Sequence, residues 1–209
     1  MNINIEFLIK EFNVSRETIE KLNIYEDFLL LSNKNLNLIG KTTENQIYLR
    51  HFIDSAQIYK IIDKKLDVID LGSGAGFPGV IVKMLMNNDN VEGNVTLIEK
   101  SVKKSKFLLN LSKKLNLVLK IENKRLEDYN FTKNSSVVSR AFKNTLDTFD
   151  LLFKNINKIE EIILLKGKTY QQELDSAKKK YTFNVEKFKS ITSDESFILK
   201  ITDLKYNTT

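Results

Sequence analysis

The stretch VIDLGSGAGFPG, residues 68–79, decides the fold. An apolar run, V-I-D-L, reads as a buried strand. A loop of glycine and serine follows, and the pattern after it is helical. Glycines at 72, 74 and 76 allow a tight turn with positive φ and let a ligand approach the main chain. A dinucleotide fingerprint would place its third glycine at 77, where Phe77 stands, so the pattern is G-x-G-x-G. Pro78 has a fixed φ and no donor, which suits the first turn of a helix. The N-terminus of that helix is expected to offer free N–H groups to an anionic end of the ligand, such as a carboxylate.

Working outward, short apolar runs alternate with helical patterns. VIDL, VTLIE, LVLKIE, VVS and EIILLK are the strands, with helices expected over about 78–87, 102–115, 145–155 and 169–180. Such alternation makes βα units and a parallel sheet. YTFNVEKF and FILKIT have only the turn-like ITSDES between them, so they predict an antiparallel hairpin at the sheet edge. The fold class is therefore α/β, a mostly parallel seven-stranded sheet with a C-terminal hairpin. Upstream the chain reads helical. Residues 3–12 are amphipathic. Over 16–34, Ile19, Leu22, Tyr25 and Leu29 share a face, with Ser15 as N-cap. T-E-N-Q at 43–46 reads as a capping box opening a helix to about residue 62, with Leu49, Phe52, Ala56 and Tyr59 as its apolar stripe. Residues 1–62 are expected to form a helical cap and residues 63–209 the sheet domain, the two packed as one unit.

With 209 residues, 42% of them hydrophobic, the chain can bury one sizeable core. It has no cysteine, which excludes disulfides and thiolate chemistry and suits a reducing compartment. Its one histidine rules out a His-rich metal site, and no metal is expected. No signal-peptide pattern opens the chain and no apolar run is long enough to span a membrane. The expectation is a cytoplasmic monomer with no membrane partner. The net charge of +6 is unevenly spread: residues 100–125 carry nine Lys/Arg and one acid, a larger net positive charge than that of the whole chain. Such a segment is either a polyanion-binding surface or a solvated helix face. Within it Lys103, Lys106 and Lys113 share a helical face opposite Leu108, Leu111 and Leu115, a surface an RNA backbone could follow.

Glu99 ends the second strand, where an acid can accept both ribose hydroxyls of a nucleoside. It lies farther past Gly72 than the usual interval of about 20 residues, and residues 87–94 read as a loop insertion that accounts for the excess. Glu99 could equally be a solvated acid at a helix start. The segments DLGSGAGFPG, LIEKSVKKSKFL, NKRLEDY, VVSRAF and LLKGK, with NLNLIGKTT and RHFIDSAQ upstream, together resemble the ribosomal RNA small subunit methyltransferase G family, also called the glucose-inhibited division protein B family. The likeness runs from about residue 15 to 202. It implies a Rossmann-like class I methyltransferase using S-adenosylmethionine. The implied substrate is N7 of one guanine, guanine 527, in 16S ribosomal RNA, within the 30S subunit or a precursor. By the matching motifs it implies that Gly72, Phe77, Leu126, Glu127 and Arg140 touch the cofactor. Asp70 and Glu99 hold positions the wider class uses near the methionine and ribose. The family often has Asp where Glu99 stands, and the extra methylene shifts the ribose contact.

The chemistry of guanine N7 agrees with the residues present. N7 has an in-plane lone pair and no proton to lose, so alignment matters more than a general base. The place after the fourth strand reads Val138-Ser139-Arg140-Ala141 rather than the Asn/Asp-Pro-Pro-aromatic motif of amino-group methyltransferases. Cytosine C5 chemistry needs a cysteine that is absent. Arg140 beside a sulfonium is repelled, so its head should pair with a carboxylate or phosphate, as a ligand contact or a structural bridge. His51 lies one helical turn from Asp54, and Arg50 lies four residues before Asp54. His51, Asp54 and Arg140 are the positioning candidates, and His51 could instead be a core histidine. Lys166 and Lys168 end the fifth strand and suit phosphate contact; Asn37 in NLNL is a further candidate. A small-molecule methyltransferase, or a nucleotide-binding module without catalysis, are the competing functions.

Overall fold

The structure, a computed structural model, describes residues 3–207. Seven strands form one sheet: β1 (Asp67–Leu71), β2 (Val95–Ile98), β3 (Lys120–Glu122), β4 (Ser135–Arg140), β5 (Ile159–Lys166), β6 (Tyr181–Lys189) and β7 (Phe197–Tyr206). Their order is β3-β2-β1-β4-β5-β7-β6. The first five run parallel, and β7 pairs antiparallel with both β5 and β6. The hairpin expected from the sequence thus lies at the edge, with its second strand inserted against β5. Helices α4 (Gly79–Asn88), α5 (Val102–Lys114), α6 (Thr145–Leu152) and α7 (Tyr170–Lys178) cross over between strands. β1 and β2 are buried on both faces, which is why they read as mainly apolar runs, interrupted by Asp70 and Thr96. Successive β1 residues serve two cores: Val68 belongs to the cluster of α4, α5 and the N-terminal helices, Ile69 and Leu71 to that of α6 and α7.

The N-terminal elements are α1 (Ile3–Phe12) and α2 (Arg16–Leu36). Ser15 caps α2 as expected, its side chain accepting the Thr18 N–H at 3.2 Å. Leu22, Tyr25 and Leu29 are buried beside α4 and α5. Asn37 ends α2 in the left-handed conformation at φ 48°, its N–H donating to the Asn33 carbonyl. Asn33 organises the turn after α2: its Oδ1 accepts the N–H of Leu38 at 2.6 Å and Ile39 at 2.9 Å, and its Nδ2 donates to Glu44 Oε1 at 2.7 Å.

That last contact corrects the expected capping box. Glu44 is drawn to Asn33, and the Thr43 hydroxyl donates to the Gly40 carbonyl at 2.8 Å, so neither caps a helix. Residues 41–60 form no single α-helix. They run as a 3-10 stretch (Lys41–Gln46), a π stretch (Tyr48–Ile53), one α-turn (α3, Asp54–Ala56) and a second 3-10 stretch (Gln57–Lys60). Burial is not confined to one stripe: from Ile47 to Tyr59 every residue but Leu49, Arg50 and Asp54 is buried. A segment packed on nearly every side is shaped by its neighbours more than by propensity.

The segment's far end is fastened by a buried acid. Glu161 on β5 is 3% exposed. It accepts the Asp63 N–H at 2.8 Å and the Ser136 hydroxyl, and it pairs with Lys200 of β7 at 2.8 Å. Lys200 also donates to the Ile61 carbonyl at 2.9 Å. Removing one partner of such a pair leaves an uncompensated buried charge, at a typical cost of about 3–5 kcal/mol. Glu161→Ala is therefore expected to lower the unfolding free energy by about that amount in a urea titration. A loss below about 1 kcal/mol would mean that Lys200 finds solvent and the tie is dispensable.

Candidate active site

The glycine loop leaves β1 at Leu71 and enters α4 at Gly79. Gly76 N–H donates to the Ser73 carbonyl at 2.6 Å, and the Phe77–Pro78 peptide is cis. Gly76 lies at φ +102°, and a Cβ there would stand 2.6 Å from Val80 and 2.7 Å from the Tyr25 hydroxyl. Gly74 also has positive φ, +56°, but a Cβ on it would meet nothing closer than 3.7 Å. Gly76 is thus a packing requirement, whereas Gly74 presents backbone to open space.

The helix N-terminus is not the anion cradle expected from the sequence. The Gly79 N–H is taken by Asp70 Oδ2 at 3.1 Å, and the Val80 N–H by the Gly76 carbonyl at 2.9 Å. Asp70 lies wholly buried beneath the loop, on the opposite face of β1 from Ile69 and Leu71. Burial pushes its carboxyl up to about 7, and its Oδ1 has no partner. Phe77 likewise points inward: its ring stacks between Tyr25, at 5.3 Å, and His51, at 5.1 Å. Tyr25 completes the packing by donating to the Ala75 carbonyl at 2.6 Å.

Two clefts open at the carboxyl ends of the strands. One, about 440 Å³, is lined by Gly72, Ile98, Glu99, Leu126, Glu127 and Phe142. Glu99, 6% exposed, is fixed in place: Oε2 accepts the Gly74 N–H at 3.0 Å and Oε1 the Ser101 N–H at 2.7 Å. Each oxygen keeps a further lone pair for a ligand hydroxyl. Leu126, on a 3-10 turn, is buried, and Glu127 beside it is exposed. A volume in the usual ligand range, an apolar lining from Ile98 and Leu126 and a fixed acid fit a nucleoside.

The second cleft, about 420 Å³, is lined by Arg50, Asp54, Arg140, Lys166, Thr192 and Phe197, among others. Here the three positioning candidates meet. Arg140, at the end of β4, donates to the Arg50 carbonyl at 2.8 Å, to His51 Nδ1 at 2.6 Å and to Asp54 Oδ2 at 3.3 Å. Its guanidinium also lies over Phe77, 5.0 Å from the ring centre. Since an arginine can only donate, His51 Nδ1 accepts, and the ring proton belongs on Nε2, which meets the Thr43 oxygen at 2.9 Å. Both ring nitrogens are therefore engaged. Burial, then the charges of Arg140 and Arg50, push the histidine down to about 3, so it is neutral at physiological pH. Asp54 Oδ1 accepts from Gln57 at 3.0 Å and from Thr192 at 2.6 Å.

The lysines divide. Lys103, Lys106 and Lys113 are exposed on α5, opposite buried Leu108, Leu111 and Leu115. Lys168 is exposed beyond β5. Lys166 is not free for phosphate: its ammonium pairs with Glu173 at 2.8 Å and donates to the Lys143 carbonyl at 2.6 Å. Asn37 serves as the α2 cap and lines neither cleft. Thr43, Thr192 and Phe142, which the sequence does not single out, join this arrangement through His51, Asp54 and the lining of both clefts. Phe142 stood within the motif SRAF, but nothing in its spacing marks a wall shared by two clefts.

Two outcomes are expected from this geometry. Gly76→Ala should destabilise the fold by about 1–3 kcal/mol or more, from the forced φ and the clash. Gly74→Ala should cost no more than about 1–2 kcal/mol, the φ penalty alone. Equal melting temperatures for the two variants would refute the distinction. Because the chain has a single histidine, its imidazole resonance reports His51 directly. No titration is expected between pH 5 and 8. The folded pKa lies below the unfolded value of about 6.5, so this group's contribution is complete above pH 6.5 and is lost as pH falls toward 3. An imidazole shift with a midpoint near 6.5 would overturn the neutral assignment.

Comparison with known proteins agrees with this architecture. The family model described as rRNA small subunit methyltransferase G matches residues 18–199. The ribosomal RNA small subunit methyltransferase G of Pelagibacter ubique is 35% identical over 201 residues, covering 95% of this chain and 94% of that one. That of Rickettsia bellii is 38% identical over 193 residues, covering 92% and 97%. Among solved structures, a ribosomal protein L11 methylase from Lactobacillus delbrueckii subsp. bulgaricus aligns with a TM-score of 0.56 at 13% identity, over 78% of this chain and 80% of that one. M. capricolum TrmK in complex with S-adenosyl-homocysteine aligns with a TM-score of 0.54 at 14% identity, over 74% and 69%. These two share the Rossmann-like fold, while the sequence matches extend over nearly the whole chain, which belongs to the rRNA small subunit methyltransferase G family.

Proposed function

We propose that the protein methylates N7 of guanine 527 in 16S ribosomal RNA, using S-adenosylmethionine, in the cytoplasm and as a monomer. The observation that carries the reading is the pair of clefts at the carboxyl edge of the sheet, one suited to a nucleoside and the other open to a base, with a shared wall. When bound, S-adenosylmethionine supplies an electrophilic methyl group. Glu99 holds the ribose hydroxyls, Ile98 and Leu126 pack the adenine, and Gly72 and Gly74 present backbone to the cofactor. Glu127 adds a second carboxylate on the cofactor's side, among the lysines and the arginine that share that lining.

In the second cleft the guanine needs alignment, not deprotonation. The new N–CH₃ bond would use the N7 lone pair while the donor's S–CH₃ bond breaks and leaves its electron pair on sulfur, so the positive charge passes to the base and no proton is lost. His51, neutral and engaged at both nitrogens, holds Arg140 and Phe77 in place. Asp54 neutralises Arg140, so the arginine does not oppose the sulfonium with a bare charge. Lys103, Lys106, Lys113 and Lys168 receive the RNA backbone, in free RNA or in a 30S particle. The chemical assignment is tested by mapping N7-methylguanine in 16S ribosomal RNA with and without the protein. A mark on an amino group or ribose would sink the N7 assignment, and methylation of small molecules alone would favour the small-molecule reading. For the RNA surface, reversing Lys103, Lys106 and Lys113 to Glu should weaken RNA binding. It should also reduce the slope of log K against log salt by about 1 for each phosphate no longer neutralised. S-adenosylhomocysteine affinity should hold. An unchanged salt slope would make that face a solvated surface only.

A further inference from the structure

β4 ends on Arg140, and the chain turns at once through Ala141, which lies in the left-handed region at φ +53°. For a residue with a Cβ that conformation costs about 1–2 kcal/mol. The next residue, Phe142, lays the edge of its ring on Gly72. A Cβ on Gly72 would stand 2.5 Å from Phe142 Cδ2 and 3.1 Å from Cε2, so the ring occupies the space that the glycine's missing side chain leaves. Gly72 is itself part of the Glu99 cleft. Among the described residues, Ala141, Phe142 and Lys143 alone line both clefts.

The turn is held firmly at its two ends. Arg140 is fixed by Arg50, His51 and Asp54. Asn144 caps α6, its side chain accepting the Asp147 N–H at 2.8 Å, and Glu173 Oε2 accepts the Thr145 N–H at 2.9 Å. Between them Ala141 and Lys143 are exposed and Phe142 is half-buried. A methyl passes between two molecules only when donor and acceptor atoms approach to about 3–3.5 Å. A donor in one cleft and a base in the other are kept apart by this wall. The wall is an aromatic side chain on a short exposed turn, which rotates far more readily than backbone of the sheet.

We propose that Phe142 is a movable partition: filling of the Glu99 cleft lifts its ring from Gly72 and opens that cleft to the base cleft, so that RNA is engaged after the cofactor. This inference rests on the cofactor reading given under Proposed function. It makes Phe142 a positioning residue, coupling one ligand's binding to the other's.

The chain has no tryptophan, so Phe142→Trp introduces a sole indole at the partition. Titration with S-adenosylhomocysteine should shift its emission to the red, along the same curve that calorimetry gives for binding. Lys143→Trp, on the exposed part of the turn, is the second reporter should the larger ring at 142 prevent folding. The wild type should bind 16S ribosomal RNA about tenfold more tightly when saturated with S-adenosylhomocysteine, within the usual range of coupling. In Phe142→Ala, with circular dichroism as the check on folding, that difference should shrink to within about twofold, because the passage stands open without the cofactor. Binding heat without an emission change from either reporter, or a full coupling that persists in Phe142→Ala, would show a fixed wall and overturn the partition while leaving the cofactor reading intact. No binding heat in the wild type would overturn the cofactor reading and the partition with it.

Discussion

The base cleft at the carboxyl edge of the sheet is arranged around one guanidinium. Arg140 arrives at the end of β4 by strand register, opposite Leu165. A charge that is 18% exposed must be paired, and a planar fork of donors can be satisfied only from several directions at once. The segment over residues 41–60 supplies those directions: a carbonyl from Arg50, a ring nitrogen from His51 and a carboxylate from Asp54. Helical spacing already puts Arg50 and His51 one turn from Asp54, and the three converge where the chain passes from π to α geometry. From this node the restraint spreads outward. His51 reaches Thr43 and stacks on Phe77, Phe77 stacks on Tyr25, and Asp54 reaches Thr192 in the β6–β7 connection. The cap, the glycine loop and the hairpin are thereby set relative to one another.

Charge around the site is mixed in one place and of one sign in another. The nucleoside-sized cleft carries Glu99 and Glu127 among Lys100, Lys104, Lys124, Arg125 and Lys143. The outer face of α5 carries lysines without acids among them, so a polyanion is met by cations. The central charge, Arg140, is neutralised where it stands, and the histidine beside it is kept uncharged. Complementarity of this kind selects partners and speeds encounter more than it adds affinity.

The sequence displayed the sheet clearly because parallel strands buried on both faces are mostly apolar, with Asp70 and Glu161 as buried exceptions, and crossover helices are amphipathic. It displayed the α2 cap because Ser15 acts on a neighbour three residues away. It hid the segment over residues 41–60 because Thr43 and Glu44, a good local capping pair, are claimed by Gly40 and Asn33 through the tertiary fold. The free N–H at the start of α4 was misread for the same reason: Asp70 lies nine residues before Gly79 in the chain and directly beneath it in space. Lys166 looked like a phosphate ligand until α7 placed Glu173 against it. The residues named by motif, Gly72, Glu99, Leu126 and Glu127, do share one cleft. Asp70, Gly76 and Phe77 act from behind it, holding the loop's shape. Spacing along a chain reports which residues are near a turn, but not which way each faces.

The placement of β7 bears on the order in which the molecule assembles. Five strands can add to one another as their crossovers form, but β6 has no partner in that array. Its only neighbour is β7, which enters between it and β5. The hairpin is a local contact, whereas its docking against β5 is long-range in the chain and needs β5 in place. Until that docking occurs, β5 is an open edge and Glu161 lacks its lysine. The same event closes the sheet, pairs the buried charge and brings Thr192 to Asp54. The base cleft is therefore complete only once the hairpin is docked, since Ser190, Thr192 and Phe197 line it, whereas the Glu99 cleft draws nothing from β6 or β7 and can stand before that event.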